Sequence, residues 1–433
     1  MTNIGTRPEI VLFLDSVCGQ VRAKKLHYDI REELSAHLDE LVKENLANGM
    51  TDKEAVDLAV TRMGEPYQIG RQLDHTHRPR TDWFMFVLVA LLSGVGLLAM
   101  YSLQTNYTGP ARYDYFDRKM FLIGIGAVLM AILWACDYQK MKKYSEYIFG
   151  FGALLLILVN FFGTNVNGQS AWYVFGAFAF YIPTVSILLM IVGFAGIKPL
   201  REHDWKGSIL LITYRGILPI LLLMNTNALT MATLYSLIFI FYLWLTKRYV
   251  WQVIAFVGSS VLLMAYALLG KNNIFTREFG YLNQTDDPYG SDYNMITRSL
   301  DTMQSAGWWG KGEFPSTIRF PQADGFLPSF INYFGWVAGT AVLLLIMGFI
   351  GKTVIASTKI KDEYGKLMFA SIGALFVIQF IWAVAMIFGY APLVGITLPF
   401  LSYGGTDQII QLAAMGLLLG IYRRRGMVPV QAN

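Results

Sequence analysis

The stretch RFPQADGFLPSFINYFGW, residues 319–336, holds one acidic side chain, Asp324, a few residues before an apolar run that continues to residue 350. A carboxylate at such a threshold can exchange protons with water and still feel a low-dielectric surface. Upstream, in SLDTMQSAGWWGKGEFPSTIRFPQADGF, Lys311 stands between Gly310 and Gly312 and beside Trp308 and Trp309. The glycines permit a tight turn, and paired tryptophans favour the membrane–water interface. Downstream, GYAPLVGITLPFLSYGG (389–405) ends in Ser402, Tyr403, Gly404 and Gly405, and its prolines and glycines interrupt a helix at membrane depth. Irregular backbone is tolerated there only where it is buried in protein or lines a wet cavity. A third stretch, NVNGQSAWYVFGAFAFYIPT, adds amides and aromatics, Trp172 among them. Two readings stay open at this level. The three stretches can line one cavity with a single acid and a nearby cation, or Gly and Pro serve only turns and Asp324 is an ordinary loop acid.

The elements that would position these residues are membrane helices. The 433 residues are 55% hydrophobic and 15% charged, against about 25% charged in a soluble domain. About ten apolar runs are long enough to span a bilayer: 83–103, 120–136, 145–163, 182–197, 209–224, 228–245, 250–269, 330–350, 367–388 and 396–422. The expectation is an all-α polytopic membrane protein, its first span directing insertion because no signal peptide precedes it. Lys and Arg cluster after the second, fourth, sixth and eighth spans and in the tail, which makes those segments and both termini cytoplasmic. The connections around Asn167, Asn225 and Tyr390 lack Lys and Arg. The long loop 270–329 is mixed in charge and faces outward, taking Asp324 with it. Residues 1–80 differ, being dense in charge and carrying four of the five histidines. Gly49 followed by TDKEAV reads as a helix stop and a capping box between Thr51 and Glu54. Stripes at Ile30, Leu34, Leu38 and Leu41, and at Ala55, Leu58, Ala59 and Met63, indicate a small cytoplasmic unit of three or four helices.

Soluble-enzyme signatures are absent: no phosphate-cradling glycine loop, nucleophile elbow or paired metal-ligand motif. No metal site and no nucleic-acid partner are expected. With Cys18 and Cys136 alone, no disulfide framework forms.

Two motifs resemble one family. GITLPFLSYGGT (395–406) is similar to the SEDS signature G-[IL]-P-L-P-F-[IL]-S-Y-G-G-S of FtsW, RodA and SpoVE. GWWGKG and FPQADGF resemble that family's outer loop, with Gly335 at the family spacing from Asp324. The likeness covers roughly residues 83–425. It implies peptidoglycan glycosyltransfer: polymerisation of lipid II at the outer face of the bacterial cytoplasmic membrane, in division, shape or sporulation. Asp324 would then be the catalytic carboxylate, and Lys311, Gly312, Trp172, Ser402, Tyr403, Gly404 and Gly405 would bind substrate. Lys311, alone or with a divalent cation (Mg or Mn), would offset the pyrophosphate charge; no other cofactor is implied. The implied partners are membrane lipids and a class B penicillin-binding protein transpeptidase. Residues 29–66, DIREELSAHLDELVKENLANGMTDKEAVDLAVTRMGEP, resemble a HAAS-type permease-prefix domain with a docking or regulatory role.

The chain also departs from the SEDS pattern. The family Arg before Trp172 is Ala171, the acid of Q-P-S-E is Val185, and the acid of Q-P-D-L-G-T is Asn227. Three functions therefore remain in view: a polymerase, a catalytically weakened scaffold of wall synthesis, and a flippase of lipid-linked precursors. The last would need ionisable groups inside the membrane, for which Arg215 is the obvious candidate.

Overall fold

The computed structural model describes residues 7–22, 24, 27–77, 81–106, 114–166, 168–176, 178–196, 205–247, 250–270, 292–315, 318, 320–391 and 395–426. Most of the loop between 270 and 291 lies outside them. The chain divides into two compact units, Met1–Thr81 with Ile360–Asp362 and Tyr422–Asn433, and Asp82–Lys359 with Glu363–Ile421.

The first unit contains α1 (Pro8–Gln20), α2 (His27–Ala47), α3 (Asp52–Met63) and α4 (Pro66–His77). Its core joins Ile10, Phe13, Leu14 and Val17 to Ile30, Leu38, Val42, Ala55 and Ala59, with Leu34, Leu41 and Met63 packed around it. Gly49 leaves α2 with φ 86°, the left-handed geometry that glycine adopts without strain. At the start of α3 the Glu54 carboxylate accepts from the Thr51 amide at 3.1 Å and from its hydroxyl at 2.6 Å.

The second unit is the membrane part. Among the described residues, six helices are long and apolar enough to cross a bilayer: α5 (Trp83–Asn106), α6 (Tyr115–Ala135), α8 (Ser145–Phe162), the composite helix Lys206–Asn225, α15 (Phe326–Thr358) and α16 (Glu363–Ile387). α7 (Tyr138–Lys143) links α6 to α8. Further apolar helices are α9 (Ile182–Ala195), α12 (Leu229–Leu245) and α13 (Val250–Gly270). α14 (Asp292–Gln304) precedes the Asp324 loop, and α17 (Asp407–Arg423) ends the bundle. The tenth expected span is thus helical only from Asp407; residues 396–406 are irregular.

Local chemistry explains the irregularities. The composite helix runs through α10 (Trp205–Leu210), a π-helical stretch Leu211–Ile217 and α11 (Leu218–Asn225). Pro219 has no amide hydrogen for the carbonyl four residues back, that of Arg215. The Tyr235 hydroxyl, arriving from α12, donates to that carbonyl instead. α15 kinks at Gly335, where φ is 86° and ψ 172°. α8 and α9 pack closely because Gly152 and Gly193 bring no side chain: a Cβ at Gly193 would meet that of Phe149 at 2.6 Å. At the start of α5, the buried Asp82 pairs with Lys352 of α15 at 2.8 Å and caps the Met85 amide at 3.2 Å.

Among the described residues, one element is not helical. Residues 164–181 form an antiparallel sheet β1–β2–β3 of Thr164–Val166, Gln169–Phe175 and Phe178–Tyr181, with Trp172 opposite Tyr181. Alternation in QSAWYVF and FAFY, with turn glycines Gly168 and Gly176 at positive φ, accounts for it.

Candidate functional site

Asp324 lies in the turn 321–325, two residues before α15 begins. Burial lifts its carboxyl from an ordinary 3.8 to about 6. Among the described residues that carboxylate closes no hydrogen bond or ion pair.

The turn is fastened to the irregular stretch 395–406, which joins two motifs that are about 80 residues apart in the chain. Tyr403 donates its amide to the Gln322 carbonyl at 2.7 Å, and the Ser402 hydroxyl donates to the Ala323 carbonyl at 3.1 Å. A Cβ at Gly395 would lie 3.8 Å from Asp324 Oδ2. Gly395 and Gly405 have φ of 66° and 54°, and Phe400 of 66°.

Backbone groups set free by the broken helix are taken up by side chains. The Leu398 amide donates to Ser402 Oγ at 3.2 Å and the Phe400 amide to Gln411 Oε1 at 2.9 Å. The Lys119 ammonium, from α6, donates to the carbonyls of Leu401 and Ser402. Arg118, one residue earlier, lies near the Tyr403 side chain, and Tyr115 packs edge-on against the Tyr403 ring at 5.3 Å.

The sheet reaches the same stretch from the other side. The Thr406 hydroxyl accepts from the Tyr181 amide and donates to the Ala179 carbonyl, each at 3.3 Å. Trp172 stacks on Tyr181 with ring centroids 4.7 Å apart. Asp407 opens α17 against Thr184 of α9, with its Oδ1 buried and unpartnered.

Lys311 is placed differently. Residues 307–312 dock on the Gly335 kink: Val337 donates to the Trp308 carbonyl at 3.2 Å, Lys311 to that of Asn332 at 2.8 Å and Gly312 to that of Tyr333 at 3.2 Å. A Cβ on Gly335 would strike the Trp308 carbonyl, and one on Gly310 that of Tyr333. The Lys311 ammonium donates to Ser305 Oγ at 2.8 Å, not to Asp324. Trp308 and Trp309 stay 72% and 83% exposed, free for the membrane interface.

The structure therefore gathers Asp324, Ser402, Tyr403, Gly404 and Gly405, with Trp172 one layer behind through Tyr181, and puts Lys311 and Gly312 on the kink. Sequence reasoning passed over Lys119, Arg118 and Asp407. Lys119 stands at the head of a span, where a lysine is ordinarily read as snorkelling to the interface. No group of three or more His, Cys, Asp or Glu among the described residues could hold a metal.

Comparison with known proteins follows the same outline. The FtsW/RodA/SpoVE family of cell cycle proteins matches residues 82–426. Stage V sporulation protein E of Bacillus subtilis is 26% identical over 371 residues, covering 80% of this chain and 98% of that protein. The probable peptidoglycan glycosyltransferase FtsW of Aliivibrio salmonicida is 27% identical over 387 residues, covering 81% and 94%. Among solved structures, a peptidoglycan synthase complex described as coordinating polymerization and crosslinking aligns with a TM-score of 0.66 at 20% identity, over 80% of this chain and 98% of that one. RodA of Thermus thermophilus aligns at 0.60 and 18% identity, over 80% and 97%. With the family match running from the first membrane helix to the last, this chain belongs to the FtsW/RodA/SpoVE family.

Proposed function

We propose that this chain is a peptidoglycan glycosyltransferase that polymerises lipid II at the outer face of the cytoplasmic membrane, with Asp324 as its base. The observation that supports this most is the fastening of the Asp324 turn to the SYGG stretch through Ser402 and Tyr403. It leaves a carboxylate with no partner among the described residues at a membrane threshold, its pKa raised by burial to about 6, near the pH at which a general base works best.

In this reading Asp324 accepts the proton of the attacking sugar hydroxyl. The hydroxyl oxygen bonds to the anomeric carbon of the other substrate as the bond to undecaprenyl pyrophosphate breaks, and the diphosphate leaves with its electrons. Lys311 offsets charge on the diphosphate once it leaves Ser305, and the Trp172–Tyr181 and Tyr115–Tyr403 pairs offer aromatic faces to sugars. Among the described residues no group of three or more His, Cys, Asp or Glu would cage Mg or Mn, and no step here uses one. Both termini are cytoplasmic, a single-span class B transpeptidase packs against the lipid-facing helices, and residues 1–80 act as a HAAS-type docking or regulatory unit.

A scaffold reading is favoured by three positions. Ala171 is fully buried, Val185 is apolar, and Asn227 serves a turn by donating to the Gly168 carbonyl at 2.9 Å. The flippase reading loses its mobile charge, because Arg215 pairs with Glu146. Purified full-length protein given labelled lipid II decides between the first two. Glycan strands are expected; no strands, in the presence of a co-purified transpeptidase, would favour the scaffold.

A further inference from the structure

Lys119 is an ionisable side chain at 1% exposure inside a membrane helix, and no acidic group pairs with it among the described residues. Burying an ammonium is costly unless it is well bonded. A lysine five residues into α6 could reach the interface along its own flexible stem, yet the side chain turns inward to the Leu401 and Ser402 carbonyls.

Two features were needed for that. The first is the unwound stretch 396–406, which leaves carbonyls at membrane depth that must find donors. The second is Gly96 of α5. A Cβ there would meet Lys119 Nζ at 2.5 Å, the Leu401 carbonyl at 2.6 Å and the Phe400 carbonyl at 2.8 Å. Glycine is the residue that leaves room for both the ammonium and the loop.

The carbonyls chosen matter. Ser402, whose carbonyl Lys119 holds at 3.1 Å, is the residue whose hydroxyl reaches Ala323, and its neighbour Tyr403 bonds Gln322. A chain of hydrogen bonds thus runs from Lys119 through Ser402 to the turn that carries Asp324. We infer that Lys119, in the space left by Gly96, is a positioning residue that fixes the SYGG stretch and through it the Asp324 turn. Its contribution is donation to two carbonyls rather than contact with substrate. The catalytic part of this inference rests on the proposed transferase activity; the structural part does not.

Four full-length proteins test it: the parent, Lys119→Met, Lys119→Gln and Gly96→Ala. Methionine keeps the length without donors, glutamine keeps two N–H donors without the charge, and alanine at 96 evicts the ammonium while leaving Lys119 in the chain. Amide hydrogen exchange of peptides spanning 320–325 and 398–406 is read first, because it needs no activity. Exchange should quicken about tenfold or more in Lys119→Met and Gly96→Ala and stay near the parent in Lys119→Gln. With labelled lipid II, kcat should fall about tenfold to a hundredfold in the first two with KM little changed, and be largely kept in Lys119→Gln. Exchange in Lys119→Met equal to the parent overturns the inference, as does Lys119→Gln behaving like Lys119→Met. If the exchange pattern is as expected but the parent makes no polymer, the positioning stands and the transferase reading fails.

Discussion

Asp324 combines two properties that an ordinary surface acid lacks: it is desolvated, and no described residue pairs with it. Burial raises its pKa to about 6, so its basic form is lost as pH falls through that value. Polymerisation, as kcat/KM, should drop about tenfold between pH 7 and pH 5; a limb near the ordinary carboxylate value of 3.8 would contradict a desolvated base. The same shift has a consequence for stability. A carboxyl whose folded pKa is raised adds stability below its unfolded value and loses it as pH rises through the folded one. At neutral pH the buried charge therefore costs stability, and Asp324→Asn should unfold at a temperature no lower than the parent. Of the site residues, Asp324, Ser402 and Tyr403 were legible because a lone acid and a helix-breaking run stand out in an apolar chain. Lys119 was not, because its role depends on Gly96, a residue of another helix that no local pattern links to it.

Among the elements, the two breaks in helical geometry do the positioning. The Gly335 kink gives the 307–312 turn a dock, and the 396–406 stretch gives the Asp324 turn another. Gly335→Ala puts a Cβ into the Trp308 carbonyl and demands φ of 86° from a residue with a side chain. It should cost about 1–3 kcal/mol, read as a lower thermal midpoint in detergent with earlier quenching of Trp308 and Trp309; an unchanged midpoint would show that the kink is not held by this contact. Periodicity and length revealed the spans of α5, α6, α8, α15 and α16, but not their ends: α15 extends to Thr358, past the apolar run. The tenth span was over-read for a physical reason. Hydropathy scores ITLPFLSYGG as membrane material, whereas Pro399 and the positive φ of Phe400 and Gly405 forbid a helix there. The sheet 164–181 was hidden for the opposite reason, since aromatic residues in a short polar connection carry too brief an alternation to outweigh ten helices.

At the level of the whole molecule, the proposed function gives the membrane unit and the N-terminal unit separate tasks. In a background lacking Cys18 and Cys136, a cysteine at the exposed Glu313 should react with an impermeant maleimide on intact cells while one at Ser357 should not; equal labelling would overturn the topology. Removing residues 1–78 should leave polymerisation in detergent within about twofold of the parent, because the hydrogen bonds that fasten the Asp324 turn to Ser402 and Tyr403 lie within the membrane unit; a loss like that of a missing general base, about a hundredfold, would assign it to the chemistry. The most direct measurement compares the parent and Asp324→Asn, each reconstituted in lipid vesicles with labelled lipid II. Asparagine keeps the size and removes the base, so strand formation should fall about a hundredfold or more while the protein stays folded; polymerisation at the parental rate would contradict Asp324 as the base.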